Sequence, residues 1–202
     1  MNILFYGDSI TDAGSYGKTN EELTGYSKYV YNGLKRDDII FYNRGRCGDR
    51  SIDLVARYED DVKSVEPDVM CILIGINDVW RAYGDNMYTD PKDYAKNLSN
   101  LIVRTKRDFI NVKIIVCEPF LLPYEDKIHW REYLHKIIDE CREVAIQLAD
   151  SFIPLDGIFA EERLRTKWQK LSSDGVHPDM CGQKLIARKI MKELKKYIGE
   201  RK

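Results

Sequence analysis

Long apolar runs are missing from this sequence: none approaches the roughly 18 residues that a membrane-spanning helix needs. No basic stretch precedes the first apolar segment, Ile3–Tyr6, so that segment reads as a strand and not as a secretory leader. The expected location is the cytoplasm, with no membrane partner. An excess of one charge is missing too. The chain carries 32 Lys and Arg against 33 Asp and Glu, a formal net charge of -1. A general nucleic-acid binder would carry a basic surplus, so nucleic acid is not an expected partner. The five cysteines (Cys47, Cys71, Cys117, Cys141 and Cys181) form no C-x-x-C pair and no Cys/His cluster. No zinc site is expected from them, and scattered free thiols suit a reducing compartment. Linkers, internal repeats and low-complexity segments are also lacking. What remains is 202 residues, 44% hydrophobic and 32% charged, the profile of one soluble domain over 1–202.

Short apolar runs alternate with helical spacing. "NILFY" (2–6), "IIFYN" (39–43), "DVMCILIG" (68–75), "VKIIVC" (112–117) and "SFIPL" (151–155) read as strands. The third and fourth are nearly continuous in aliphatic residues, which suits strands covered on both faces of a parallel sheet. Helical spacing is expected over 25–36, 51–65, 91–109, 127–149 and about 180–197. In the second of these, Ile52, Val55, Tyr58 and Val62 mark the expected apolar face. Asp90 followed by Pro91 reads as an N-cap with proline in the first turn. The alternation predicts a three-layer α/β/α domain with a parallel sheet. Ligands in such folds bind outside the carboxyl ends of the strands, so the loops after each apolar run are the place to look.

Taken singly, those loops have plain explanations. Gly7-Asp8-Ser9 suits a helix-capping turn, and residue 11 is Thr, so this is not the G-x-S-x-G elbow. Gly45 and Gly48 suit turns, Asn77-Asp78 an Asx turn, and His177 an ordinary loop. Together they say more. Ester hydrolysis needs a hydroxyl nucleophile, an imidazole to take its proton, and a carboxylate to orient the imidazole. The chain has three histidines, and His129 and His135 fall in an expected helix. His177 lies in a loop on the expected rim, with Asp174 three residues before it. Ser9, His177 and Asp174 therefore supply the three roles. The N–H groups of Ser9 and Gly48 and the side-chain amide of Asn77 supply oxyanion donors.

"GDSIT" with Ser9, "NRGRCGDRS" with Gly48, "GIND" with Asn77 and "DGVHP" with Asp174 and His177 resemble, in order, the four blocks of the SGNH (GDSL) hydrolases. The resemblance implies a flavodoxin-like five-stranded parallel sheet. It implies Ser9 as nucleophile, His177 as base, Asp174 as its partner, and an oxyanion hole from Ser9, Gly48 and Asn77. It calls for no metal or organic cofactor. "IGINDVWR" (74–81), "ARYEDDV" (56–62) and "GYSKYV" (25–30) are similar to the intracellular serine esterases that deacetylate xylo-oligosaccharides. That likeness implies a small acyl ester substrate, an acetylated sugar, and a homo-oligomer. Two departures stand out. Ser173 replaces the aromatic residue often found before the catalytic Asp, and Arg46-Cys47 replaces smaller residues beside Gly48. Cys47 there suggests either thiol sensitivity or simple packing.

Candidate substrate contacts are Trp80, Arg81 and Tyr83, which follow Asn77, and Asp8, which otherwise only shapes the turn. The stretch "WRAYGDNMYTD" (80–90) reads as a polar loop, which disfavours a long-chain lipase. Asp12 reads either as a hydrogen-bonding member of the first loop or as the cap of the segment that follows. Rival readings are a lysophospholipase, thioesterase or arylesterase using the same residues. A non-enzyme rival is a flavodoxin-like module cradling the FMN phosphate with Ser9, Thr11, Ser15 and Thr19.

Overall fold

A computed structural model describes residues 1–199. The strands are β1 (Asn2–Gly7), β2 (Ile40–Gly45), β3 (Val69–Leu73), β4 (Lys113–Cys117) and β5 (Ser151–Ile153). They form one sheet in the order β2-β1-β3-β4-β5, every pair parallel. β1 and β3 are buried along almost their whole length, as expected for strands covered on both faces.

The helices are α1 (Ser9–Asp12), α2 (Gly25–Leu34), α3 (Ser51–Ala56), α4 (Ile76–Gly84), α5 (Pro91–Asp108), α6 (Arg131–Leu148), α7 (Leu155–Glu162) and α8 (Met180–Leu194). The chain steps one way from β1 to β2 and the other way from β3 through β5. Right-handed crossovers therefore send α2 to one face and α5 and α6 to the other. α8 returns to pack on α2, while α5 packs between α3 and α6, which gives the three layers. Asp90 caps α5 by accepting a hydrogen bond from Lys92 N–H at 2.8 Å, with Pro91 in the first turn.

Four expectations need correction. Residues 51–65 are not one regular helix: α3 ends at Ala56 and a π-helical turn spans Glu59–Lys63. Its buried face is Leu54, Tyr58, Val62 and Val65, with Arg57 and Asp61 beside them, while Ile52 is 43% exposed. The apolar stripe is thus rotated from the one expected, because two charged residues face inward as a pair. The stretch at 80–90 is not simply a polar loop: its first half belongs to α4, and Tyr83, Met87 and Tyr88 are exposed. The helix expected from Lys127 begins at Arg131, after a 3-10 turn over Glu125–Trp130. Helix α7, eight residues long, carries no clear periodicity and was not expected.

Candidate active site

The order 2-1-3 makes a crevice at the carboxyl ends of the central strands, and the expected loops converge on it. Gly7 ends β1. A Cβ there would lie 2.2 Å from the Leu73 carbonyl oxygen, so only glycine permits this approach to β3. The chain then turns into α1. Asp8 is its N-cap, with Oδ1 accepting from Ile10 N–H at 2.9 Å, and Ser9 is the first helical residue. Asp12 Oδ1 accepts from Gly14 and Tyr16 N–H in the turn after α1, so it bonds within the loop and caps no helix.

Ser9 Oγ lies 2.9 Å from His177 Nε2, and His177 Nδ1 lies 2.7 Å from Asp174 Oδ2. The other oxygen of Asp174 accepts from the backbone N–H groups of Val176 and His177 and from Ser172 Oγ–H. One carboxylate thus builds both the loop and the imidazole's orientation. Leu122 N–H donates to the Gly175 carbonyl, and Lys127 Nζ donates to the Asp174 carbonyl, pinning this loop to the segment after β4. Burial alone would raise the Asp174 carboxyl; the hydrogen bonds from His177 and Val176 instead carry it well below the ordinary range. The hydrogen bond that His177 donates to Asp174 raises the His177 pKa, against the opposing effect of burial; Asp8 adds to the rise and Lys127 opposes it.

Gly48 follows β2 with φ +85°, and a Cβ there would meet the Arg81 guanidinium at 2.5 Å. Neither the Ser9 nor the Gly48 N–H donates to another group among the described residues. Asn77 Nδ2 donates to the Asp49 carbonyl at 3.0 Å, which fixes the amide and leaves its second N–H free. Ser9, Gly48, Asn77, Trp80, Arg81, Cys47 and His177 line one cavity of about 210 Å³. Among the described residues, no group of three or more His, Cys, Asp or Glu side chains is placed to hold a metal ion.

Two substrate-contact expectations differ from the geometry. Asn77, Trp80 and Arg81 stand at i, i+3 and i+4 of α4 and share its cavity face. Tyr83, two residues past Arg81, points aside and stacks on Trp130 at 5.8 Å. Asp8 is 1% exposed and lines no part of the cavity. Its Oδ2 has no hydrogen-bond partner, and burial pushes its carboxyl up to about 7. The phosphate cradle of the flavin reading is also undone. Thr11 and Ser15 are fully buried, Thr11 Oγ1 against the Tyr26 hydroxyl and Ser15 Oγ between Asn43 and the Asp12 carbonyl.

Sequence reasoning missed a buried ion cluster beneath the site. Arg57, 8% exposed, pairs with Asp49 at 2.5 Å and with Asp61, and donates to the carbonyls of Gly7 and Arg44 at 2.9 and 2.8 Å. Its guanidinium also lies over the Tyr6 ring, 4.4 Å from the centroid. This one side chain therefore ties the end of β1, the end of β2 and the Gly48 loop together. The signal was the Arg57/Asp61 spacing of four, which also fits an exposed helical ion pair. Asp78 was missed as well. It is buried and accepts from Ser51 N–H and Oγ–H, tying α4 to α3, and burial raises its carboxyl to about 6.

Comparisons with known proteins point to one family. The model of the GDSL-like lipase/acylhydrolase family matches residues 5–185. An acetylxylan esterase from Geobacillus stearothermophilus is 32% identical over 95% of this chain and 93% of its own. The crystal structure of Axe2, an acetylxylan esterase from that organism, superposes with a TM-score of 0.84 at 29% identity, covering 96% of this chain and 94% of Axe2. Catalytic mutants of Axe2, one replacing a serine and one a histidine, superpose equally well. A candidate GDSL-like lipase from Parabacteroides merdae gives a TM-score of 0.86 at 30% identity, over 95% of this chain and 94% of that one. With the family match running through every loop of the crevice, the chain belongs to the GDSL-like lipase/acylhydrolase family and is a carboxylic ester hydrolase.

Proposed function

We propose that the protein removes acetyl groups from acetylated sugars, xylo-oligosaccharides among them, through an acyl-enzyme on Ser9. The observation that carries this is the hydrogen-bonded chain Ser9–His177–Asp174 opening onto a cavity of only about 210 Å³ beside Gly48 and Asn77. The likeness to an acetylxylan esterase supports the substrate class.

The chemistry follows from the geometry. Asp174 stays ionised and holds Nδ1–H, so the lone pair of His177 Nε2 faces Ser9 Oγ. Nε2 takes the Ser9 proton as Oγ attacks the acetyl carbonyl. The carbonyl electrons move to an oxyanion held by the N–H groups of Ser9 and Gly48 and the free N–H of Asn77. The imidazolium then protonates the departing sugar oxygen. Water, deprotonated by the same nitrogen, attacks the acetyl-enzyme, and acetate leaves as the proton returns to Ser9. No step needs a group outside the chain, the ester and water.

The same reading places the protein in a reducing compartment, the cytoplasm, in keeping with its five free cysteines, two of them exposed. Among the described residues, no helix is long and apolar enough to cross a membrane. The reading also includes self-association, for which Tyr83, Met87, Tyr88 and Ile128 offer an exposed apolar surface beside the site. Sedimentation over a concentration series tests that part. The substrate test is acetate release from acetylated xylo-oligosaccharides, set beside an acyl-length series on one aryl-ester scaffold. Best turnover of acetyl supports the reading. Best turnover of octanoyl, with no acetate from the sugars, turns it toward a lysophospholipase, thioesterase or arylesterase.

A further inference from the structure

The acyl cavity is not the whole site. A second hollow, of about 500 Å³, adjoins it on the far side of the Gly48 loop, and Cys47, Gly48 and Arg81 line both. Its volume lies within the roughly 300–1,000 Å³ of small-molecule sites. A carbonyl within reach of Ser9 Oγ and Gly48 N–H stands at the junction of the two spaces. One of its substituents then occupies the small cavity with Trp80, and the other leads past Arg81 into the larger hollow.

The walls of that hollow are rich in charge, and the charges largely cancel. Arg57 is committed to Asp49 and Asp61. Arg81 pairs with Asp85 at 2.6 Å. Asp53 accepts from Arg50 N–H at 2.8 Å and lies 3.6 Å from its guanidinium. That leaves Arg46 and Asp60, both exposed and neither in an ion pair among the described residues. One free cation and one free anion face one space. A phosphate or carboxylate drawn to Arg46 would also meet Asp60, so the lining disfavours an anion. Donors and acceptors with little net charge suit a neutral molecule dense in hydroxyls. Arg46 is also one of the residues that departs from the family's usual small side chains beside Gly48, and nothing in the acyl-transfer chemistry uses it.

We propose that this hollow seats the alcohol side of the ester, a neutral polyhydroxylated chain, with Arg46 and Asp60 as specificity-determining contacts. The proposal rests on Ser9-centred ester hydrolysis, and its test separates the two. Calorimetric titration of unacetylated xylo-oligosaccharide into the wild type, Arg46→Ala and Asp60→Ala reads the hollow without any chemistry. The wild type should bind, and each variant should bind about 10-fold or more weakly, the effect of losing a charge-assisted hydrogen bond. In hydrolysis, kcat/KM on acetylated xylo-oligosaccharide relative to p-nitrophenyl acetate should fall by a similar factor in each variant. Both side chains are exposed, so the melting temperature should barely move. No binding by the wild type, equal binding by the variants, or tighter binding of a uronate-bearing oligosaccharide through Arg46 would overturn the proposal. A wild type that binds the sugar yet releases no acetate would instead count against the catalytic reading alone.

Discussion

Replacing Arg57 by methionine removes a buried cation while keeping much of its volume. Asp49, its side chain 11% exposed, loses its ion-pair partner; Asp61, 4% exposed, is left with Arg44 at 3.5 Å and the Tyr16 hydroxyl; and the carbonyls of Gly7 and Arg44 lose a donor. Breaking a buried ion pair from one side costs about 3–5 kcal/mol. For a chain of this length, each kcal/mol moves the melting temperature by roughly 2–4 °C, so Arg57→Met should melt about 6–20 °C lower. The orphaned Asp49 carboxylate gives the loss a pH signature. The Asp49 carboxyl is already raised, chiefly by burial, with Arg57 holding it down. Without Arg57 its folded pKa rises further above its unfolded value. Stability that is present below the unfolded pKa is then lost as pH rises through the folded one, so the defect should be larger at pH 8 than at pH 5. Activity should fall too. The Asp49 carbonyl fixes the Asn77 amide, and complete loss of one oxyanion donor costs about 10²–10³ in kcat. A displaced donor should cost roughly 10- to 100-fold in kcat, with KM for a small acetate ester little changed. Arg57→Lys should recover part of the stability. Circular-dichroism melts at both pH values and steady-state kinetics well below the melt check all of this. A variant that melts within about 2 °C of the wild type and keeps kcat within about twofold would refute the reasoning.

His177 must be neutral to accept the Ser9 proton, and its pKa is raised above the ordinary imidazole value of about 6.5, chiefly by Asp174. The acid limb of kcat/KM against pH should therefore have its midpoint above about 6.5 and move down in Asp174→Asn, which should also lose about 10⁴ in kcat; a wild-type midpoint at or below that value contradicts the assignment. Asp8 has its folded carboxyl raised by burial to about 7, so it favours the fold below its unfolded pKa and progressively less as pH rises through about 7. Asp8→Asn should gain stability relative to the wild type between pH 5 and pH 8, by about 3 kcal/mol, and parallel melting curves across that range would show that the Asp8 carboxyl is already ionised in the fold at pH 5 and is not raised.

The elements that the sequence made legible are those with one clear period. β3 and β4 are continuous apolar runs, and α8 shows Leu185, Ile186, Ile190 and Leu194 buried on one face as expected. The residues of the site were legible because chemistry restricts their types: with three histidines and only His177 on the rim, the geometry of Ser9 and Asp174 had one partner to find. What stayed hidden depended on tertiary partners. Arg57 inside a helical stripe looks like an error in the apolar pattern until Asp49, Asp61 and two strand-end carbonyls surround it. Reading 80–90 as a loop lost the phase of α4, and with it the difference between Trp80 and Arg81, which face the cavity, and Tyr83, which does not. Lys127 gives no signal of its own; its partner is a backbone carbonyl 47 residues away.

The claim that Ser9 is the nucleophile has a direct test: acetate release by the wild type and Ser9→Ala under identical conditions, with the acetyl-enzyme sought by rapid quench and intact-mass spectrometry. The account predicts a fall of roughly 10⁴- to 10⁶-fold in kcat for a variant that melts like the wild type, and one acetyl group on Ser9 in the quenched wild type. Near-normal acetate release by a folded Ser9→Ala protein would contradict it.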